Sequence, residues 1–288
     1  MIDIAIATCS YHPDLGPLDR GVIAELAELG IRATPLIWTD AKASLDPFAA
    51  VVVQSTWDSH LDPQAFVTWA RRVHAQTALF NPLHLLEWNL NKRYLLELEQ
   101  QGIPITPTLW VSAGSSVDLR NEVTARGWTR FVIKPVVSAG ATETHVFDVA
   151  GIETAQATFD RLVARLDLMI QPYLLAFETE GERSYIFFDG VFSHAVRRPP
   201  TLKSAPRGFD QSHEMPPIEA ELQLSRQVLA KIGETPVYAR VDLATNNDGV
   251  VRLQEVELVE PCLFTSLAPG AQQRYARAIA RRLPNAPK

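Results

Sequence analysis

The chain lacks any run of lysine or arginine, and its 27 basic against 33 acidic side chains leave a formal charge of −6. That balance argues against a dedicated binder of nucleic acid or anionic membranes. No apolar stretch reaches membrane-spanning length, and the first ten residues carry Asp3 where a secretion signal would carry basic residues. A cytoplasmic protein is expected. Cysteine is scarce: Cys9 and Cys262 stand far apart and fit neither a zinc nor a redox spacing. Neither G-x-x-x-x-G-K-[ST] nor G-x-G-x-x-G occurs, which removes the two common phosphate-binding fingerprints. Internal repeats and low-complexity tracts are absent as well.

What is present is an ordinary globular composition over 288 residues, enough for two or three lobes. The opening reads as a strand from Ile2 to Ala7 and a helix from about Leu18 to Leu29 stopped by Gly30. Strands follow at Ile31 to Trp38 and at the continuously apolar Ala49 to Gln54. This predicts an open α/β sheet, with ligands near the carboxyl ends of its strands. Trp57 and Asp58 follow the third strand directly and are candidates for touching a small substrate. The alternative is a plain loop in which Asp58 or Ser59 caps the next helix.

Asn89 reads as the cap of a helix from Leu90 to Gln101, which sets Lys92 in a first turn where the helix dipole disfavours it unless an anion is near. A surface lysine is the plainer reading. Phe131 to Pro135 is a strand carrying Lys134, and the small residues from Ser138 to Thr142 after it can bring backbone amides close to phosphate. Asp189-Gly190 turns a hairpin, and Arg198 to Pro217, with five prolines, has the length of a lid or mobile insertion. A closing amphipathic helix from Gly270 to Leu283 turns Ala271, Tyr275, Ala278 and Ile279 inward and its arginines to solvent.

The stretch from Val237 to Phe264 carries the most chemistry. Two β-type runs flank the turn cluster Asn246-Asn247-Asp248-Gly249, and residues two apart on a strand share a face. Arg240, Asp242, Glu255 and Glu257 therefore meet on one side, with Leu253 and Val259 expected beside them. Carboxylates among apolar neighbours need a cation. Oxygen-only donors suit Mg²⁺, with Mn²⁺ as an alternative. The other reading is a hairpin whose acids pair with lysines and arginines from elsewhere.

Asn91-Lys92, Val132-Ile133-Lys134-Pro135, Gln171-Pro172-Tyr173, Gly181-Glu182-x-Ser184, Arg240-x-Asp242 and Glu255-x-Glu257 occur in the order of the nucleotide-site motifs of the ATP-grasp superfamily. The chain resembles that superfamily along essentially its whole length. The interval from Asp242 to the acid pair is similar to that in D-alanine:D-alanine ligases. The wording around His194, Arg240 and Glu260 resembles the O-ureido-D-serine cyclo-ligases of cycloserine biosynthesis.

The resemblance implies an ATP-grasp fold of class α/β. Residues 1–110 would form an N-terminal open α/β sheet domain, 111–175 a central lobe and 176–288 a C-terminal lobe with the metal site, the last two gripping ATP. It further implies that Lys92, Lys134 and the Ser138 loop bind ATP phosphates, that Gln171, Pro172, Tyr173 and Leu174 line the adenine, and that Glu182 holds the ribose. Asp242, Glu255 and Glu257 would hold two Mg²⁺ ions, while Arg240 with Arg197 or Arg198 would stabilise the transferring phosphoryl group. Two departures stand out: many relatives have asparagine where Glu257 stands, and the Ser138 to Thr142 loop is less glycine-rich than usual.

The function so implied is an ATP- and Mg²⁺-dependent carboxylate-amine ligase that forms an acyl phosphate on a small amino-acid-like substrate. Whether the amine belongs to the same molecule stays open. The rival readings are an ATP-binding regulator without chemistry and an ATP-grasp kinase acting on a hydroxyl. No nucleic-acid or membrane partner is expected, and a homo-oligomer is compatible with the sequence.

Overall fold

Three sheets organise the computed structural model, which describes residues 1–140, 142–199 and 211–283. The first is built from β1 (Ile2–Thr8), α1 (Val22–Glu28), β2 (Ile31–Ile37), β3 (Ala50–Ser55), α2 (Pro63–Gln76) and β4 (Ala78–Phe80). Its strands are all parallel, in the order β2-β1-β3-β4. Every position of β3 is buried, as a continuous apolar run inside a parallel sheet requires. The strand order reverses between β1 and β3, so the loops after these two strands diverge over a crevice where a ligand can lie.

Helices α3 (Leu83–Asn89) and α4 (Tyr94–Gln100) lead into the second sheet. It comprises β5 (Leu109–Val111), α5 (Leu119–Ala125), β6 (Arg130–Pro135), β7 (His145–Asp148), α6 (Ile152–Val163) and β8 (Leu168–Pro172), with antiparallel strands in the order β5-β8-β6-β7. β6 alternates: Phe131 and Ile133 enter the core with Phe159 and Leu162 of α6, which leaves Val132 and Lys134 on the opposite face.

After the short α7 (Ala176–Thr179), the third sheet is assembled from β9 (Glu182–Phe188), β10 (Val191–Arg198), β11 (His213–Met215), α8 (Glu219–Lys231), β12 (Tyr238–Thr245) and β13 (Val251–Glu257). Its order is β11-β10-β9-β12-β13, antiparallel throughout. The chain closes with α9 (Ala271–Arg282). One core unites Ile4, Ile6 and Val52 of the first sheet with Ile186, Val196 and Tyr238 of the third and Tyr275 and Ile279 of α9, so the two ends of the chain are packed together.

Several local expectations change. Asn89 caps no helix: it is the last residue of α3, its amide donates to Val256 O and its carbonyl accepts from Leu258 N, both at 2.7 Å. Lys92 therefore sits in the turn between α3 and α4 rather than in a first helical turn. α2 is capped by Asp62, which accepts from Ala65 N at 2.9 Å, not by Asp58 or Ser59. Of the arginines of α9, Arg277 and Arg281 are exposed as expected, but Arg274 is tied to Ser193 Oγ at 2.9 Å and Arg282 to Asp189 at 2.6 Å. Of the stretch read as a lid, residues 200–210 lie outside the described residues, while His213–Met215 pair with β10 as an edge strand.

His194 of β10 is buried, with Nε2 donating to Leu263 O at 2.9 Å and Nδ1 2.8 Å from Ser193 Oγ. Burial pushes its pKa down to about 4. The unfolded chain takes up this proton near 6.5, so between those values the unfolded state binds more protons and stability falls as pH is lowered. Urea unfolding from pH 7 to pH 4 should lose at most about 3 kcal/mol through this residue. His194→Gln should flatten that part of the profile, and an unchanged slope would show that another group is responsible.

Candidate active site

Successive strand residues face opposite ways, and in the third sheet this sorts the charges. Arg198 stands opposite Glu182, Asp242 opposite both Ser184 and Glu255, and Arg240 opposite Glu257, so these seven residues share one face. Arg197 faces the other way, opposite Arg183, and donates from Nε to Glu180 O at 2.6 Å. The structure therefore brings Arg198 to Asp242 and leaves Arg197 out. Leu253 also departs from expectation: the ladder shifts register after Asp242, which pairs Leu253 with Leu243 in the apolar core behind the sheet.

Asp242 is buried and fully engaged. Ser184 Oγ and Arg240 Nε donate to one of its oxygens at 2.7 and 3.0 Å, and Arg198 and Arg240 NH2 groups to the other at 2.7 and 2.9 Å. Burial works against its charge, but the two guanidinium groups outweigh it and hold the carboxyl below its ordinary value. Arg198 also pairs with Glu182 at 3.0 Å, and Arg240 with Glu257. Burial raises Glu182, and it raises Glu257 to about 8, Arg240 being offset by the neighbouring Glu255 and Asp242.

The lysines approach from the other two lobes. Lys92 Nζ pairs with Glu255 at 3.0 Å and donates to Ser138 O, while its backbone N–H donates to Val136 O at 2.9 Å. Burial opposes its charge, and Glu255 more than restores it. Lys134 is different: among the described residues its ammonium has no hydrogen-bond or ion-pair partner, and burial lowers its pKa with only distant help from Glu255. Gln171 lies opposite Val132 on the same sheet face and bonds Thr108 Oγ1 at 2.9 Å. Pro172 ends β8, Leu174 is buried, and Asn247 of the hairpin turn clasps the segment by bonding Tyr173 O at 2.8 Å and Leu175 N at 3.0 Å.

At the far end of the hairpin, Trp57 from the loop after β3 donates from Nε1 to Glu260 O at 3.0 Å and packs edge-on against His12, 4.8 Å between ring centroids. Asp58 accepts from Trp38 Nε1. The two crevice loops thus meet the end of the acid hairpin, which places both sequence-designated substrate candidates there. In the same loop, the buried Thr56 Oγ1, Ser59 Oγ and His60 Nδ1 lack a hydrogen-bond partner among the described residues, while His60 Nε2 lies 3.2 Å from Thr142 Oγ1 of the phosphate-loop candidate. Glu260, named in the sequence only for its wording, is the site residue that sequence reasoning passed over.

Oxygen-only donors fit Mg²⁺ in chemistry. Asp242, Glu255 and Glu257 are spaced by Arg240, Arg198 and Lys92, and no group of three histidine, cysteine or carboxylate side chains converges among the described residues. A cation reaches Asp242 only when a guanidinium group releases it.

Lys134 yields opposite signs in two measurements. Lys134→Met should weaken ATP binding by about 1–3 kcal/mol, the range for losing a charge-assisted hydrogen bond. It should also raise the melting temperature of the ATP-free protein, since an unpaired, desolvated charge is removed. ATP affinity unaltered in a titration would make the lysine structural.

Comparison with known proteins agrees with this geometry. Residues 4–81 match the family model of the D-cycloserine synthetase DcsG N-terminal domain. The cycloserine biosynthesis protein DcsG of Streptomyces lavendulae is 32% identical over 270 residues, covering 88% of this chain and 90% of that one. The crystal structure of D-cycloserine synthetase DcsG superposes with a TM-score of 0.89 at 29% identity, covering 98% and 100% of the two chains. The ATP-grasp ligase PsnB, solved with a phosphomimetic variant of its minimal precursor, Mg and ADP, shares the fold at a TM-score of 0.65 and 15% identity, covering 97% and 98%. No helix among the described residues is long and apolar enough to cross a membrane. Lysines and arginines gathered on the acid-bearing hairpin, with the loops after the first and third strands at its far end, sit on a framework shared with an ATP-grasp ligase, and the chain belongs to the DcsG family with the ATP-grasp fold.

Proposed function

We propose that this ligase activates the carboxylate of a small amino-acid-like molecule and closes a ring onto a nitrogen of the same molecule, as the relationship to D-cycloserine synthetase supports. The observation that carries the reading is what gathers on the acid face of the third sheet: Lys92, paired with Glu255, and the unpaired Lys134 from one side, Trp57 and Asp58 from the other, and Arg240 on the face itself.

ATP lies with its phosphates on Lys92, Lys134 and the Ser138 loop, its adenine along Gln171, Pro172, Tyr173 and Leu174, and its ribose at Glu182. Asp242, Glu255 and Glu257 would hold two Mg²⁺ ions, or Mn²⁺ in their place, which would supply neutralisation of the phosphate oxygens. A carboxylate oxygen of the substrate, held near Trp57 and Asp58, attacks the γ-phosphorus and ADP leaves. The nitrogen then attacks the acyl carbon, and phosphate departs. Arg240, with Arg198 beside it, stabilises charge on the transferring phosphoryl group and on the tetrahedral adduct. Attack within one molecule is favoured by effective concentration.

Hydroxylamine should capture the acyl phosphate as a hydroxamate when ATP, Mg²⁺ and O-ureido-D-serine are present. Arg240→Ala should lower that yield by about two orders of magnitude or more, the scale of removing one preorganised charge-stabilising donor. A regulator would give no hydroxamate with any carboxylate, and a hydroxyl kinase would give a stable phosphate ester. An absolute need for a separate amine would leave the ligase standing and remove ring closure.

A further inference from the structure

Among the described residues, the acids of the hairpin and Glu182 are matched one by one by the protein's own cations, while Glu260 and Asp58 are not. Asp242 is held by Arg198 and Arg240, Glu182 by Arg198, Glu257 by Arg240 and Glu255 by Lys92. Glu260 has no side-chain hydrogen bond or ion pair among the described residues, although it is largely shielded from solvent. Its position is fixed from behind, because its backbone carbonyl accepts the Trp57 indole N–H at 3.0 Å. The charged groups that act on it are Lys92, Glu255, Arg240 and Asp58. Lys92 is already committed to Glu255 and Ser138 O, Arg240 to Asp242, Glu257 and Cys262 O. Asp58 spends one oxygen on Trp38 Nε1, and its other oxygen bonds none of the described residues.

We infer that Glu260, with Asp58 across the substrate crevice, forms the binding site for the α-ammonium group of the substrate. The Trp57 indole bond brings the Asp58 loop to Glu260, and because the nearby Lys92 and Arg240 are already paired with other acids, these two carboxylates call for a positive charge from outside. The crevice loops make this the substrate end of the site, and a compact ammonium group with three donors can bond both acids at once. The burial that lifts the Glu260 carboxyl to about 7 would be offset once such a charge is bound. This recognition fixes which end of an amino acid enters first, leaving the carboxylate to face Arg240 and the phosphate-binding lysines.

The inference rests on the proposed substrate class, and paired probes keep the two apart. O-ureido-D-serine and its counterpart without the α-amino group, 3-(ureidooxy)propanoate, would be titrated calorimetrically into the wild-type protein and the Glu260→Gln variant in the presence of Mg²⁺ and a non-hydrolysable ATP analogue. The wild type should bind the amine-bearing probe roughly ten- to a hundred-fold more tightly, as for a charge-assisted contact. Glu260→Gln should bind the two probes within a few-fold of each other, with affinity for the nucleotide analogue unchanged. Discrimination retained in the variant would overturn the inference, as would equal loss of both probes, which marks a structural role. Ring closure is read separately from ATP-dependent product formation by the wild type, so its absence would count against the proposed function while the binding difference still decides the role of Glu260.

Discussion

The structure depends on the cost of burying carboxylates on the β12–β13 face. Asp242 is almost inaccessible to solvent and would be several kcal/mol too unfavourable as a lone anion, yet four donors from Ser184, Arg198 and Arg240 hold it ionised. These donors come from three strands, β9, β10 and β12, so the three must keep their register around this residue. The same arrangement leaves one group unmatched: the arginines are paired with acids, while the Lys134 amine has no hydrogen-bond or ion-pair partner among the described residues and burial lowers its pKa. An amine without a partner, beside cations that can be drawn from their acids, is suited to bind a phosphate group.

A second constraint delivers the lysine from the first lobe. β13 is an edge strand, and its free backbone groups are covered rather than exposed. Asn89 bonds Val256 O and Leu258 N, the Tyr94 hydroxyl takes both backbone groups of Val256, and Leu253 is held by Pro104 and Thr106. Lys92 lies between Asn89 and Tyr94, so covering the edge also lays its ammonium over Glu255 at 3.0 Å. Asn81 does similar work at β12, bonding Val237 N and the carbonyls of Tyr238 and Leu258. The crevice of the first sheet and the acid face of the third are thereby fixed relative to one another by buried side-chain amides.

Much of this was legible in the sequence because it is local. Apolar runs located β1 and β3, Gly30 ended α1, and the two-residue period put Arg240, Asp242, Glu255 and Glu257 together. What was not legible is set by distance or by phase. The bulge after Asp242 breaks the period and sends Leu253 to the other face, and nothing near it announces the shift. Arg197 and Arg198 were indistinguishable until the register of β10 chose between them. Asn89 looked like a helix cap because caps and edge clamps use the same side chain, and its partner Val256 lies 167 residues away. Glu260 carried no signal beyond the wording around it; that its side chain has no partner among the described residues is visible only once the neighbouring acids have been matched.

The central claim is that a substrate carboxylate is phosphorylated before the nitrogen attacks. Isotope transfer tests it most directly: O-ureido-D-serine with both carboxylate oxygens replaced by ¹⁸O would be turned over with ATP and Mg²⁺, and the released inorganic phosphate analysed by mass. The acyl-phosphate route transfers one carboxylate oxygen to phosphorus, so each phosphate formed with product should carry one ¹⁸O. Product formation accompanied by unlabelled phosphate would contradict the account.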